Sequence, residues 1–92
     1  MSDKGRIIGI NHVALEVGNI EEALSFYGRA FEYSLRGRSD KMAFIDMGDQ
    51  FIALFEGQHQ QSDQGRHFGL VVDDREKVRR QLQNAGVKLL PG

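Results

Sequence analysis

Histidine is the residue type here best suited to chemistry near neutral pH, and the 92-residue chain has three: His12, His59 and His67. A neutral imidazole offers one lone pair to a divalent ion. Two imidazoles with a carboxylate and open positions suit Fe(II), Mn(II), Ni(II) or Zn(II). His12 and His67 each stand in an apolar run, whereas His59 lies in the polar stretch Gly-Gln-His-Gln-Gln and is expected to be solvated. The acids nearest these apolar runs are Glu16, four residues after His12, and Glu56, at the end of Phe-Ile-Ala-Leu-Phe-Glu. The chain has no cysteine, which excludes disulfides, thiolate metal sites and cysteine nucleophiles together.

The elements that must position these groups follow from periodicity. Ile7–Val17 is β-branched and aliphatic and predicts a strand, broken by Gly18. Asn19 occupies an N-cap position with Glu22 three residues on, and Ala23, Leu24, Tyr27, Ala30 and Phe31 form a helical stripe up to about Glu32. Three short strands are expected at Tyr33–Arg38, Met42–Met47 and Gln50–Glu56, separated by the turn formers Ser39-Asp40 and Gly48-Asp49. Residues 57–66 are polar and aperiodic, a loop by composition. His67–Val72 predicts a fifth strand. Asp74 then caps a second helix with Val78, Leu82 and Ala85 on its apolar face, and Gly86 stands at C′. A sixth strand is expected to begin at Val87–Leu90.

The chain repeats itself. A shift of 55 residues places His12 on His67, Leu15 on Leu70, Val17 on Val72, Asn19 on Asp74, Glu21 on Glu76 and Ala30 on Ala85. Each match carries a structural role, and two of the three histidines share one repeat position. The expected organisation is therefore one domain over 1–92: a first β-α-β-β-β unit at about 7–57 and an incomplete second unit at about 66–92. On this count the second unit is truncated after its first strand and helix.

Several segments, in this order and spacing, resemble the vicinal oxygen chelate superfamily, which includes glyoxalase, bleomycin-resistance proteins and extradiol dioxygenases. They are His-Val-Ala-Leu-Glu-Val with Asn-Ile-Glu-Glu-Ala-Leu-Ser-Phe-Tyr, then Ile-Ala-Leu-Phe-Glu, His-Phe-Gly-Leu-Val-Val and Leu-Gln-Asn-Ala-Gly-Val. Phe31-Glu32 departs from the Leu-Gly common there, so the first helix is expected to end differently. The resemblance implies an α+β fold of paired βαβββ modules in a curled mixed sheet. It also implies that His12 and His67 are metal ligands, held by the two half-domains across a shared hollow.

The remaining donors are harder to place. Side chains alternate along a strand, so His12, Ala14 and Glu16 share one face and Val13, Leu15 and Val17 the other. Ala53 stands where glyoxalase-like members carry a fourth-strand glutamate, which implies the three-ligand type of extradiol dioxygenases and fosfomycin-resistance transferases. Their late glutamate belongs to a strand this sequence does not include. Glu56 has the parity of Ile52 and Leu54 and is expected at the strand end, solvated or salt-bridged. Glu16 has the histidine face, with an edge salt bridge favoured over a role as base. Phe51 and Phe55 share the face of Ala53 and are candidates to line the substrate cavity, core packing being the alternative.

Three functions compete. One is a metal-dependent lyase, dioxygenase or transferase acting on a small substrate with vicinal oxygens. The second is a metal-free drug- or small-ligand-binding protein of bleomycin-resistance type. The third is an inactive truncated domain. An incomplete half-sheet leaves an open edge, so a homodimer is expected. With 12 basic and 13 acidic residues and a net charge of −1, no basic stripe points to nucleic acid. No apolar run reaches the ~18 residues of a membrane span. The polar N-terminus lacks a secretory signal, so a cytoplasmic location is expected.

Overall fold

The computed structural model describes residues 3–58 and 67–90. Six elements follow one another: β1 (His12–Val17), α1 (Ile20–Ala30), β2 (Leu35–Arg38), β3 (Met42–Met47), β4 (Gln50–Glu56) and α2 (Arg75–Asn84). The four strands form one mixed sheet in the order β1-β4-β3-β2. β1 runs parallel to β4, with His12 opposite Phe51, Ala14 opposite Ala53 and Glu16 opposite Phe55. The other two pairings are antiparallel. The fold is α+β.

Local chemistry accounts for the boundaries. Asn19 Oδ1 accepts the Glu22 amide at 2.9 Å, so α1 starts where its cap predicts. It ends at Phe31, whose extended backbone still donates to Tyr27 O. Asp74 Oδ1 likewise accepts from Lys77 N, and Gly86 follows α2 at a φ of 83° that glycine adopts without penalty. Between β3 and β4, Gly48 (φ 85°) and Asp49 make a two-residue turn with the positive φ at its first position, as a type II′ hairpin requires. Leu35 pairs with Ile45 and Gly37 with Phe44, which leaves Arg36 as the extra residue of a β-bulge.

One face of the sheet carries the core. Ile20 and Leu24 of α1 pack on Ala43, Ile45, Ile52 and Leu54, with Leu15, Val17, Ala23, Tyr27 and Tyr33 around them. Val13, Leu15 and Val17 turn towards this side, as their alternation predicts. An ion pair between Arg38 and Glu21 ties β2 to α1. On α2, Val78, Leu82 and Ala85 are half-buried, and no residue of that helix is fully covered.

Four expected strands differ from the structure, the least of them β2, which begins at Leu35 and not at Tyr33. Residues 7–11 are not part of β1, because parallel β4 begins only at Gln50, opposite Asn11. One further bond, from Phe51 N to Asn11 O, closes the ladder, and Ile7, Ile8 and Ile10 before it stand exposed. His67–Val72 and Val87–Leu90 also lie outside any strand. Both segments are rich in β-forming residues. A strand needs a neighbour to receive its N–H and C=O groups, and propensity alone does not supply one.

Candidate functional site

The sheet face turned away from α1 carries His12, Ala14 and Glu16 from β1, Phe51, Ala53 and Phe55 from β4, and Phe44 and Asp46 from β3. Phe51 is its centre. The His12 imidazole stacks on the Phe51 ring with centroids 4.7 Å apart and planes 9° apart. Phe44 meets the same ring edge-on at 5.4 Å, and the Arg36 guanidinium lies 4.7 Å over it. Ala14 and Ala53 leave this surface low beside the aromatic group, and Phe55 continues it next to Glu16.

His12 is exposed, and its Nδ1 lies 2.8 Å from Asn11 Oδ1. That oxygen can only accept, so in the neutral tautomer that makes this bond Nδ1 is the donor and Nε2 the lone-pair nitrogen. The ring is thereby prepared as a one-point donor. Asn11 fills the outer position that metal-ligating histidines commonly give to an oxygen acceptor.

Other expected site residues have different surroundings. His67 is exposed, in the segment that is not a strand. His59 lies outside the described residues. Glu56 ends β4, as expected, and is half-buried there. Its Oε1 accepts the Ile20 amide at 2.9 Å and covers the first N–H of α1, on the core side of the sheet. The Glu16 side chain lies against Gly57, where a Cβ would come within 2.9 Å of its carboxyl carbon. Among the described residues, no three His, Asp or Glu side chains gather in a way that could hold one ion. The donor set of these residues is therefore incomplete, and no reaction step through a metal follows from it.

Arg36 and Asp46 escaped the reading of the sequence. Arg36 Nε and Nη2 donate to Asp46 Oδ1 at 3.1 and 2.7 Å, and Nη2 also reaches Gly48 O and Gln50 O. That hydrogen bond is the main cause holding the Asp46 carboxyl below its usual range. The available signal was an arginine beside Gly37 within a strand, since glycine in a strand often marks a bulge.

A larger concavity, about 510 Å³, opens on the opposite side of the sheet, between α1, the ends of β3 and β4, and residues 70–78. Tyr27, Phe31, Tyr33 and Leu70 are among its walls, and burial raises the Tyr27 hydroxyl above its usual pKa. No described histidine borders it. Of the acids at its rim, Asp74 accepts from Lys77 N, and Asp46 gives its carboxylate to Arg36 on the open face. The chemistry-bearing side chains are on the other face.

The family model of the Glyoxalase/Bleomycin resistance protein/Dioxygenase superfamily matches residues 9–92. The chain belongs to this superfamily. Metallothiol transferase FosB of Bacillus licheniformis is 25% identical over 96 residues, an alignment that covers 98% of this chain and 62% of the transferase. The chain thus spans less than two thirds of that superfamily relative. Among solved structures, the fosfomycin resistance protein FosX of Listeria monocytogenes, complexed with Mn(II) and sulfate, superposes with a TM-score of 0.76. It is 20% identical, with 94% of this chain and 70% of FosX covered. A bleomycin resistance determinant encoded on transposon Tn5 superposes with a TM-score of 0.66 at 16% identity, covering 92% of this chain and 71% of its own. These likenesses establish the superfamily fold. Among the described residues, no helix is long and apolar enough to cross a membrane.

Proposed function

We propose that this chain is a metal-dependent enzyme of the superfamily, of the three-ligand type, acting on a small substrate with vicinal oxygens. The observation that carries the reading is the state of His12: on the open face, Nδ1 committed to Asn11, and Nε2 left as donor. His67 would be the second donor, and a carboxylate from outside the described residues the third. A divalent ion so held would act as a Lewis acid on the substrate oxygens. The names of the relatives favour this reading over a metal-free one, since FosB is a metallothiol transferase and FosX was crystallised with Mn(II). Phe51 and Phe55 would line the substrate side. A second copy of the chain is the natural source of the missing surroundings, and the reading includes a homodimer.

The test is metal content. The purified chain is expected to bind Mn(II) or Zn(II) stoichiometrically, and the His12→Ala/His67→Ala double variant to lose it. No saturable metal binding by the parent chain would overturn the reading.

One observation favours the runner-up, a metal-free binder of small aromatic ligands in the manner suggested by the bleomycin resistance determinant. Phe44, Phe51 and Phe55 share the open face of the sheet and the His12 ring stacks on Phe51, a surface rich in rings that needs no ion. Saturable binding of a planar aromatic probe to metal-free protein, weakened in Phe51→Leu, would support it.

A further inference from the structure

The aromatic group on the open face crosses the whole sheet. β1 and β2 are its two edges, with β4 and β3 between them. His12 comes from one edge strand and Arg36 from the other, and both lie on Phe51 of β4. Arg36 reaches that far because it is the bulged residue of β2, and a bulge re-aims the side chain it releases from the ladder.

Its guanidinium is then anchored: Nε and Nη2 converge on Asp46 Oδ1 at the end of β3, and Nη2 also reaches Gly48 O in the turn and Gln50 O at the start of β4. Gln50 adjoins Phe51 in sequence. The arginine therefore clamps the hairpin that carries the ring and roofs the ring as well. Phe44 closes the ring's edge. A phenyl ring fixed in this way has one remaining broad contact, and His12 takes it almost parallel.

We propose that Arg36 is a positioning residue for His12, acting through Phe51. The clamp sets the plane of Phe51, and the stack sets the plane of the imidazole. The Asn11 hydrogen bond settles the remaining rotation, so that Nε2 has one direction. A surface ion pair would contribute little to stability, which leaves the alignment of His12 as the main consequence of the arrangement. Lysine is not equivalent, because an ammonium lacks the Nε/Nη2 pair that converges on Asp46 Oδ1 and has no flat group to lay over the ring. The proposal rests on the reading of His12 as a donor, and its test separates the two.

The test uses the full chain with labelled histidines. In the parent, ring-current shielding by Phe51 is expected to displace the His12 ring protons upfield, and Phe51→Leu to abolish the displacement. Arg36→Met, with the core resonances of Ile52 and Leu54 unchanged, is expected to lose most of the displacement, and Arg36→Lys to resemble Arg36→Met. Asp46→Asn, a milder change should Arg36→Met not fold, is expected to give an intermediate shift. Zn(II) alone, followed on the same resonances, is expected to bind about tenfold more weakly to Arg36→Met. His12 resonances identical to the parent in Arg36→Met, or in Asp46→Asn if only that variant folds, would overturn the proposal. Full recovery in Arg36→Lys would overturn the distinction from lysine. Zn(II) leaving His12 of the parent untouched would remove the donor reading, while the shieldings would still decide the positioning.

Discussion

At the scale of single residues, the open face shows how a bulge and a turn produce local electrostatics. Asp46 is half-buried, with 38% of its side chain exposed, and its carboxyl is held below its ordinary value of 3.8, chiefly by the hydrogen bond from Arg36. The charge of Arg36 and the amides of Gly48 and Met47 act in the same direction. A carboxylate whose folded pKa is depressed binds fewer protons in the folded than in the unfolded chain. Its contribution is therefore complete above the unfolded value and is lost as pH falls through the folded one. The stability difference between the parent and Asp46→Asn is expected to be constant near neutral pH and to shrink below about pH 4. Urea unfolding across the acid range measures that difference. A 13C titration of the Asp46 carboxyl is expected to show a midpoint below 3.8. A midpoint at or above that value would mean the pair is not formed in solution. The histidine of this face was legible from its place in a β-branched run and in the 55-residue repeat. Its arginine was not, because nothing in Leu-Arg-Gly-Arg states which residue a bulge will release.

At the scale of elements, the joint between β4 and α1 shows what strand parity can and cannot decide. Alternation alone put Glu56 with Ile52 and Leu54, away from His12, and the structure agrees. What alternation could not supply was its partner, because Ile20 lies 36 residues earlier and meets Glu56 only once the parallel pair β1–β4 has formed. Two side chains then serve one helix end, Asn19 for Glu22 N and Glu56 for Ile20 N. Glu56→Ala is expected to cost about 1 kcal/mol, the usual loss for a helix-end acceptor. Glu56→Gln, which keeps an oxygen, should cost less. Urea midpoints with unchanged slopes would report both. Neither substitution should alter metal or ligand binding; a loss of metal in Glu56→Gln would return Glu56 to the list of donors. Elements that rely on local signals, such as the two capped helices and the Gly48-Asp49 hairpin, were readable from the sequence. Segments 7–11, 67–72 and 87–90 were read as strands because propensity reports what a residue tolerates. It does not report whether a neighbouring strand will be present.

At the scale of the molecule, those same segments expose what a core would normally cover. Ile7 and Ile8 are more than nine-tenths exposed, Val71 fully and Leu90 four-fifths. The radius of gyration is 15.5 Å, against about 12 Å for a compact chain of this length. The accessible surface is 8036 Å², where a folded monomer of this mass has about 5,400 Å². The excess, roughly 2,600 Å² relative to that compact expectation, is well above the about 800 Å² per partner that a standard interface buries. β1 is an edge strand, and Ile7, Ile8 and Ile10 extend from it in the sequence. A second copy would cover these side chains, and those of Phe68, Leu70 and Val71, which stand exposed in one chain. It would also bring another set of histidines and carboxylates to a sheet whose own donor set is incomplete. Light scattering at micromolar concentration is expected to give the mass of a dimer. Ile8→Lys combined with Val71→Lys should shift it towards the monomer, because each buries a charge at the proposed contact. If metal binding depends on the dimer, that variant should also lose stoichiometric Mn(II) while His12 remains in place. A parent chain that stays monomeric yet binds the metal fully would show that one copy completes its own site.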